Sequence, residues 1–79
     1  MIPRLKFASH LGGYRVRLEF TDGVAGEIDL EDQLWGEVFE PLRDPVYFRR
    51  FEVHPELSTL TWSNGADLAP EYLYRAVGA

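Results

Sequence analysis

Seventy-nine residues without a cysteine, carrying thirteen acids against eight bases for a net charge of −5, leave room for one small domain and exclude a disulfide framework or a thiolate metal site. No stretch approaches the eighteen apolar residues of a membrane span, and none of signal-peptide length follows the start Met1-Ile2-Pro3. The charge balance argues against direct nucleic-acid binding, and the expected setting is a reducing cytosol with no membrane contact.

The first strand is expected over Arg4 to Ala8, with Leu5 and Phe7 inward and Arg4 and Lys6 outward. His10 then falls in a loop beside the tight-turn pair Gly12-Gly13, as a solvated residue. From Tyr14 to Phe20 the chain alternates again, Tyr14, Val16, Leu18 and Phe20 against Arg15, Arg17 and Glu19; Val24, Gly26, Ile28 and Leu30 continue the pattern after the turn. A two-residue Asp-Gly loop would set Leu18 opposite Glu27 and drive carboxylates into the core. A three-residue loop, Thr21-Asp22-Gly23, pairs Phe20 with Val24, Leu18 with Gly26 and Val16 with Ile28, and sets Arg17 opposite Glu27 and Arg15 opposite Asp29. Such a loop needs a left-handed residue at its third position, so Asp22 and Gly23 are read as structural turn residues.

Further on, Glu31 to Leu34 forms one turn before Gly36, and Asp44-Pro45 caps a short helix running through Arg50, with Phe48, Phe51 and either Val46 or Tyr47 buried. A short strand, Phe51 to Val53, leads across the His54-Pro55-Glu56 turn to a strand at Thr59 to Trp62. Ser63-Asn64-Gly65 repeats the three-residue hairpin, with Asn64 and Gly65 as turn residues, Trp62 paired with Ala66 and Leu60 with Leu68. Asp67 is expected to cap or brace that turn, and Pro70 opens a last helix reaching Ala76. Residues 1–79 therefore read as a single α+β domain: a small, mostly antiparallel sheet in β-β-β-α-β-β-α order, built from two hairpins with short helices packed on one face.

Charge is distributed in blocks. Residues 1–18 hold Arg4, Lys6, Arg15 and Arg17 and no acid, whereas residues 19–40 hold eight acids and no base. Complementary strand faces explain such blocks more often than an interaction surface does. No catalytic motif accompanies them: there is no nucleophile elbow and no glycine-rich phosphate loop. His54 has no second histidine at ligand spacing, and Asp67 and Glu71 straddle a strand end and a helix start. Trp35, Phe39 and Leu42 sit in irregular chain around Gly36 and Pro41, where bulky apolar groups either cap the core, the commoner outcome, or form a contact patch.

The ordered set Phe20-Thr21-Asp22-Gly23 with Ile28-Asp29-Leu30, Val38-Phe39-Glu40-Pro41-Leu42-Arg43-Asp44-Pro45 with Phe48, and Trp62-Ser63-Asn64-Gly65-Ala66-Asp67-Leu68 with Pro70 resembles the bacterial family called domain of unknown function 2442. The resemblance spans nearly the whole chain. It implies a small α+β domain with no established activity, some of whose relatives look like one half of a two-gene pair in a toxin–antitoxin arrangement.

Three readings of function follow. The leading one is a cytosolic, non-enzymatic domain, antitoxin-like, that binds another small, basic protein without a cofactor or metal, through Glu31, Asp32, Trp35, Glu37, Phe39, Glu40 and Leu42. A small metal-dependent or hydrolytic enzyme using His54, Asp67 and Glu71 is the second. The third is a ligand-sensing accessory module that acts when fused or as a homodimer.

Overall fold

The computed structural model describes residues 3–78. Its elements run β1 (Leu5–Gly12), β2 (Arg15–Phe20), β3 (Ala25–Asp29), two 3-10 turns (Glu31–Gln33 and Glu40–Arg43), α1 (Pro45–Phe48), β4 (Glu52–Val53), β5 (Leu60–Thr61) and α2 (Pro70–Gly78). The strands form an antiparallel sheet in the order β1-β2-β3 and a separate antiparallel pair, β4-β5.

The β2-β3 hairpin has the register that keeps carboxylates out of the core: Leu18 faces Gly26, Val16 faces Ile28, Arg17 faces Glu27 and Arg15 faces Asp29. Phe20 N–H donates to Val24 O at 2.8 Å, Gly23 N–H returns to Phe20 O at 3.0 Å, and Gly23 takes φ +91°, where a side chain would be strained. Asp22 Oδ1 accepts from Val24 N–H at 3.0 Å and completes the turn. The ion pair on this hairpin is diagonal, Arg15 to Glu27 at 3.0 Å, while Asp29 Oδ1 accepts from Glu31 N–H at 2.9 Å. The second hairpin repeats the device, with Trp62 N–H to Ala66 O and Gly65 N–H to Trp62 O both at 3.0 Å and Gly65 at φ +90°. Asn64, rather than Asp67, braces it: Asn64 Oδ1 accepts from Ala66 N–H at 3.0 Å and Nδ2 donates to Val38 O at 2.9 Å.

Strand β1 departs from strict alternation. Its pairing with β2 slips between Leu5 and Phe7 and again between His10 and Gly12, so that each slip leaves one unmatched residue. Leu5 stays buried opposite Phe20, but after the first slip Ala8 and His10 turn inward opposite Leu18 and Val16, and Phe7 is left 46% exposed. The inward placement expected for Phe7 is thereby corrected. His10 is corrected with it: it lies in the strand, half-buried, with its ring edge-on to Phe48 at 6.0 Å and Nε2 bonded to Gly13 O at 2.9 Å.

One face of the three-stranded sheet carries the core, and both helices cover that face. Phe48 of α1 is fully buried and meets Tyr14 edge-on at 5.3 Å and Trp62 at 5.8 Å, while Trp62 Nε1–H donates to Phe48 O at 2.8 Å. At the other end α2 lies on β3 so closely that a Cβ at Gly26 would come within 3.0 Å of Val77 O. Buried Leu73 and the edge-on pair Phe20–Tyr74, at 5.1 Å, complete that contact. The helix boundaries shift slightly from expectation. Asp44 Oδ1 caps Val46 N–H at 3.0 Å as foreseen, yet α1 ends at Phe48 and α2 continues to Gly78. Val46 and Tyr47 share the consequence of so short a helix: Val46 is exposed and Tyr47 half-buried.

Two side chains, Arg4 and Tyr74, tie segments near the ends of the chain to distant positions through three long-range bonds. Arg4 donates through Nε to Ser58 Oγ at 2.7 Å and through its guanidinium to Pro55 O at 2.9 Å. Tyr74 O–H donates to Asp22 Oδ2 at 2.7 Å, which holds the Asp22 carboxyl below its ordinary range and raises the Tyr74 phenol; the Val24 N–H bond adds to the first effect. Asp22, lowered on folding, contributes stability present above the ordinary aspartate range and lost as pH falls through its folded value. Tyr74, raised on folding, contributes stability present below the ordinary phenol range and lost as pH rises through its folded value. Tyr74→Phe is therefore expected to lower Tm at neutral pH and to differ least from the parent in strong acid and strong alkali. A Tm difference that stays constant across the pH series would refute this clamp.

Candidate functional site

The stretch between β3 and α1 is pinned to the core at intervals and faces outward in between. Leu30, Leu34 and Leu42 are its fully buried anchors. Gln33 N–H bonds Leu30 O at 2.9 Å and closes the first 3-10 turn, which leaves Glu31 and Asp32 in solvent. Leu34 occupies the inward place, so the next residue, Trp35, points away from the core and is 72% exposed. Gly36, at φ +91°, then reverses the chain, and its carbonyl accepts from both Phe39 N–H at 3.2 Å and Glu40 N–H at 3.0 Å. Arg43 is drawn back onto the ledge, donating to Leu34 O at 3.4 Å while its own carbonyl accepts from Tyr14 O–H.

Of the seven residues expected to face a partner, Glu31, Asp32, Trp35, Glu37 and Glu40 are exposed together on this ledge. Leu42 is not: it is fully buried, because the 3-10 turn Glu40–Arg43 directs it into the core while its neighbours stay outside. Phe39 is half-buried and packs against the core, so it supports the ledge rather than presenting itself. The core alternative was right for Leu42 and wrong for Trp35.

Residues not singled out in the sequence complete the surface. Val38 and Val46 are 45% and 48% exposed. An open groove of about 800 Å³ runs between Glu37, Glu40, Pro41, Asp44, Val46, Tyr47 and Arg50, and a smaller hollow of about 330 Å³ is lined by Leu34, Trp35, Gly36, Glu40 and Arg43. Glu40 lines both. The usable sequence signal for the groove was Asp44-Pro45: it starts a helix whose first turn must show solvent either Val46 or Tyr47. Across residues 31–44 five carboxylates face a single guanidinium, Arg43. Among the described residues the ion pairs are Lys6–Glu19 and Arg15–Glu27, both on the sheet, so no carboxylate of the ledge makes a direct ion pair; Arg50 lines the groove and Arg43 the hollow beside them.

The residues of the enzyme reading are placed differently. His54 and Asp67 line one shallow hollow of about 370 Å³ together with Arg50 and Glu52, and Glu71 is not part of it. His54 Nδ1 accepts from Glu56 N–H at 3.1 Å and Leu57 N–H at 3.0 Å, which commits that nitrogen to the turn. Among the described residues no three His, Asp or Glu side chains are grouped to hold a metal ion, and no helix is long and apolar enough to cross a membrane.

A small two-sheet α+β domain with an acidic ledge between β3 and α1 is what the geometry defines. A family model described as a protein of unknown function, DUF2442, matches residues 8–79, and the chain belongs to that family. No curated protein and no solved structure matches the chain.

Proposed function

We propose that this domain is a non-enzymatic, cytosolic binding module whose acidic ledge receives another small, basic protein, as the antitoxin-like member of a two-gene pair. The observation that carries the reading is Trp35, held out in solvent by the buried anchor Leu34 next to it, in a segment with five carboxylates to one guanidinium and no direct ion pair among them. An indole is the side chain most often found as an interface hot spot, because it loses much apolar surface to water exclusion at little rotamer cost. The carboxylates around it act at longer range: they steer a basic partner and set its orientation, an effect that salt weakens. The adjoining groove adds apolar lining from Pro41, Val46 and Tyr47 among Glu37, Glu40, Asp44 and Arg50.

Capture of the neighbouring gene's product from the native host tests the reading. The complex is expected at low salt and is expected to weaken as salt rises. Trp35→Ala should reduce affinity by about 30-fold, the factor that goes with a hot spot of about 2 kcal/mol, and, as a surface change, should move folding stability by no more than about 0.5 kcal/mol. A partner retained equally by Trp35→Ala, or no protein partner at low salt, would refute it.

A further inference from the structure

The open edge of the three-stranded sheet is distinct from the ledge but continuous with it. Strand β3 is last in the order β1-β2-β3, so nothing pairs with its far side among the described residues. Its register fixes which groups face outward. Phe20–Val24 is a hydrogen-bonded pair, and Leu30 N–H bonds Tyr14 O at 2.9 Å, so every second residue of β3, Gly26 and Ile28 included, directs its peptide groups toward β2. Ala25, Glu27 and Asp29 therefore turn their N–H and C=O groups away from the sheet. Their side chains lie on its outer face, while half-buried Ile28 reaches the core face at the rim.

We infer that this edge is a strand-addition site for an extended segment of a basic protein, with Lys or Arg at alternate positions and small apolar residues between them. The main-chain groups of Ala25, Glu27 and Asp29 supply the ladder bonds. Charge selects the occupant. Glu27 and Asp29 share the outer face of the edge, with Arg15 bonded to Glu27 from the β2 side, and the chain runs on from there into Glu31 and Asp32, so a pairing strand on the open side meets carboxylates at successive outward positions. A second copy of β3 is disfavoured by the same residues: antiparallel pairing about Glu27 sets Glu27 against itself, pairing about Ile28 sets Glu27 against Asp29, and parallel pairing in register stacks like on like. A strand carrying cations at those positions replaces repulsion with attraction, and its alternate apolar side chains cover Ile28. The inference rests on the partner-binding reading and adds the form in which the partner arrives, as a strand whose path continues toward Trp35.

Amide hydrogen exchange followed by NMR tests it, with the capped peptide Lys-Val-Lys-Val-Lys-Thr-Lys as probe at millimolar concentration. The Ala25, Glu27 and Asp29 amides are expected to slow by about tenfold or more, and the Glu-for-Lys version of the peptide should leave them unchanged. Glu27→Pro should abolish the protection at Ala25 and Asp29, since it removes an outward N–H and costs no main-chain bond to β2, only the surface ion pair with Arg15. Glu27→Lys leaves the main chain intact, gives up only the exposed ion pair with Arg15, and should shift preference toward the Glu peptide, which keeps the test decisive if the proline variant fails to fold. Unchanged exchange at the three amides would overturn the strand site. If Trp35 fluorescence still responds to the Lys peptide in that case, the ledge reading stands without it. Light scattering that shows the protein alone as a dimer, with the three amides already protected, would likewise overturn it in favour of a second copy.

Discussion

Phe48→Ala is expected to cost about 3–5 kcal/mol, the range for removing a fully buried aromatic ring, and so to consume a large share of the total. A chain of this size at about 0.05–0.15 kcal/mol per residue has only about 4–12 kcal/mol to lose. The position concentrates several effects. Phe48 has no exposed surface, its ring is edge-on to His10, Tyr14 and Phe51, and its carbonyl accepts the Trp62 indole N–H. It therefore helps join β1 and the β1-β2 turn to the β4-β5 pair, which belong to different sheets. Urea unfolding should show a lowered midpoint with the slope retained. Phe48→Leu, which refills most of the volume and forgoes mainly the ring–ring geometry, should recover well over half of the loss. Equal losses for the two variants would show that the ring geometry, and not the filled volume, holds the sheets together.

Leu73→Ala is expected to cost about 2–5 kcal/mol and to act by releasing α2. Nine residues are too few for a helix to persist alone in water, so α2 exists because its inner face is covered. Leu73 is the one fully buried residue among those described in that helix, and Tyr74 and Val77 only partly share the load. Amide exchange should rise first in Pro70–Gly78 and next at the Thr21-Asp22-Gly23 turn, because losing the helix also breaks the Tyr74–Asp22 bond. Uniform acceleration across all strands would instead mark Leu73 as part of one indivisible core.

What the sequence disclosed and what it hid follow from how local each cause is. The hairpin at Thr21-Asp22-Gly23 was legible because a wrong register has a large, visible penalty: it would bury Glu27 and Asp29. Gly26 was legible only as a gap opposite Leu18; its reason, the backbone of Val77 passing over it, comes from a residue fifty-one positions away. Phe7 misled because Arg4-Leu5-Lys6-Phe7 alternates without fault, and nothing local announces the slip. What sets it is tertiary: Thr21 N–H bonds Arg4 O at 2.9 Å, Arg4 N–H bonds Thr21 Oγ1 at 3.1 Å, and the Arg4 side chain reaches across to Ser58. The ledge divided in the same way. Acid residues in an irregular stretch read correctly as exposed, but whether Trp35 or Leu34 took the inward place depended on a single 3-10 turn whose phase no periodicity fixes in so short a segment.

The two slips in β1 give the sheet a polarity that its strand order alone does not. An edge interrupted twice in eight residues twists and breaks its own row of donors and acceptors, and one flank of β1 is also neighbour to β4. The opposite edge, β3, pairs with β2 over five consecutive residues without a slip. The three-stranded sheet thus has one disguised edge and one plain one. Filament growth by sheet extension needs two compatible edges on every molecule, so strand addition here gives a closed, countable complex and stops.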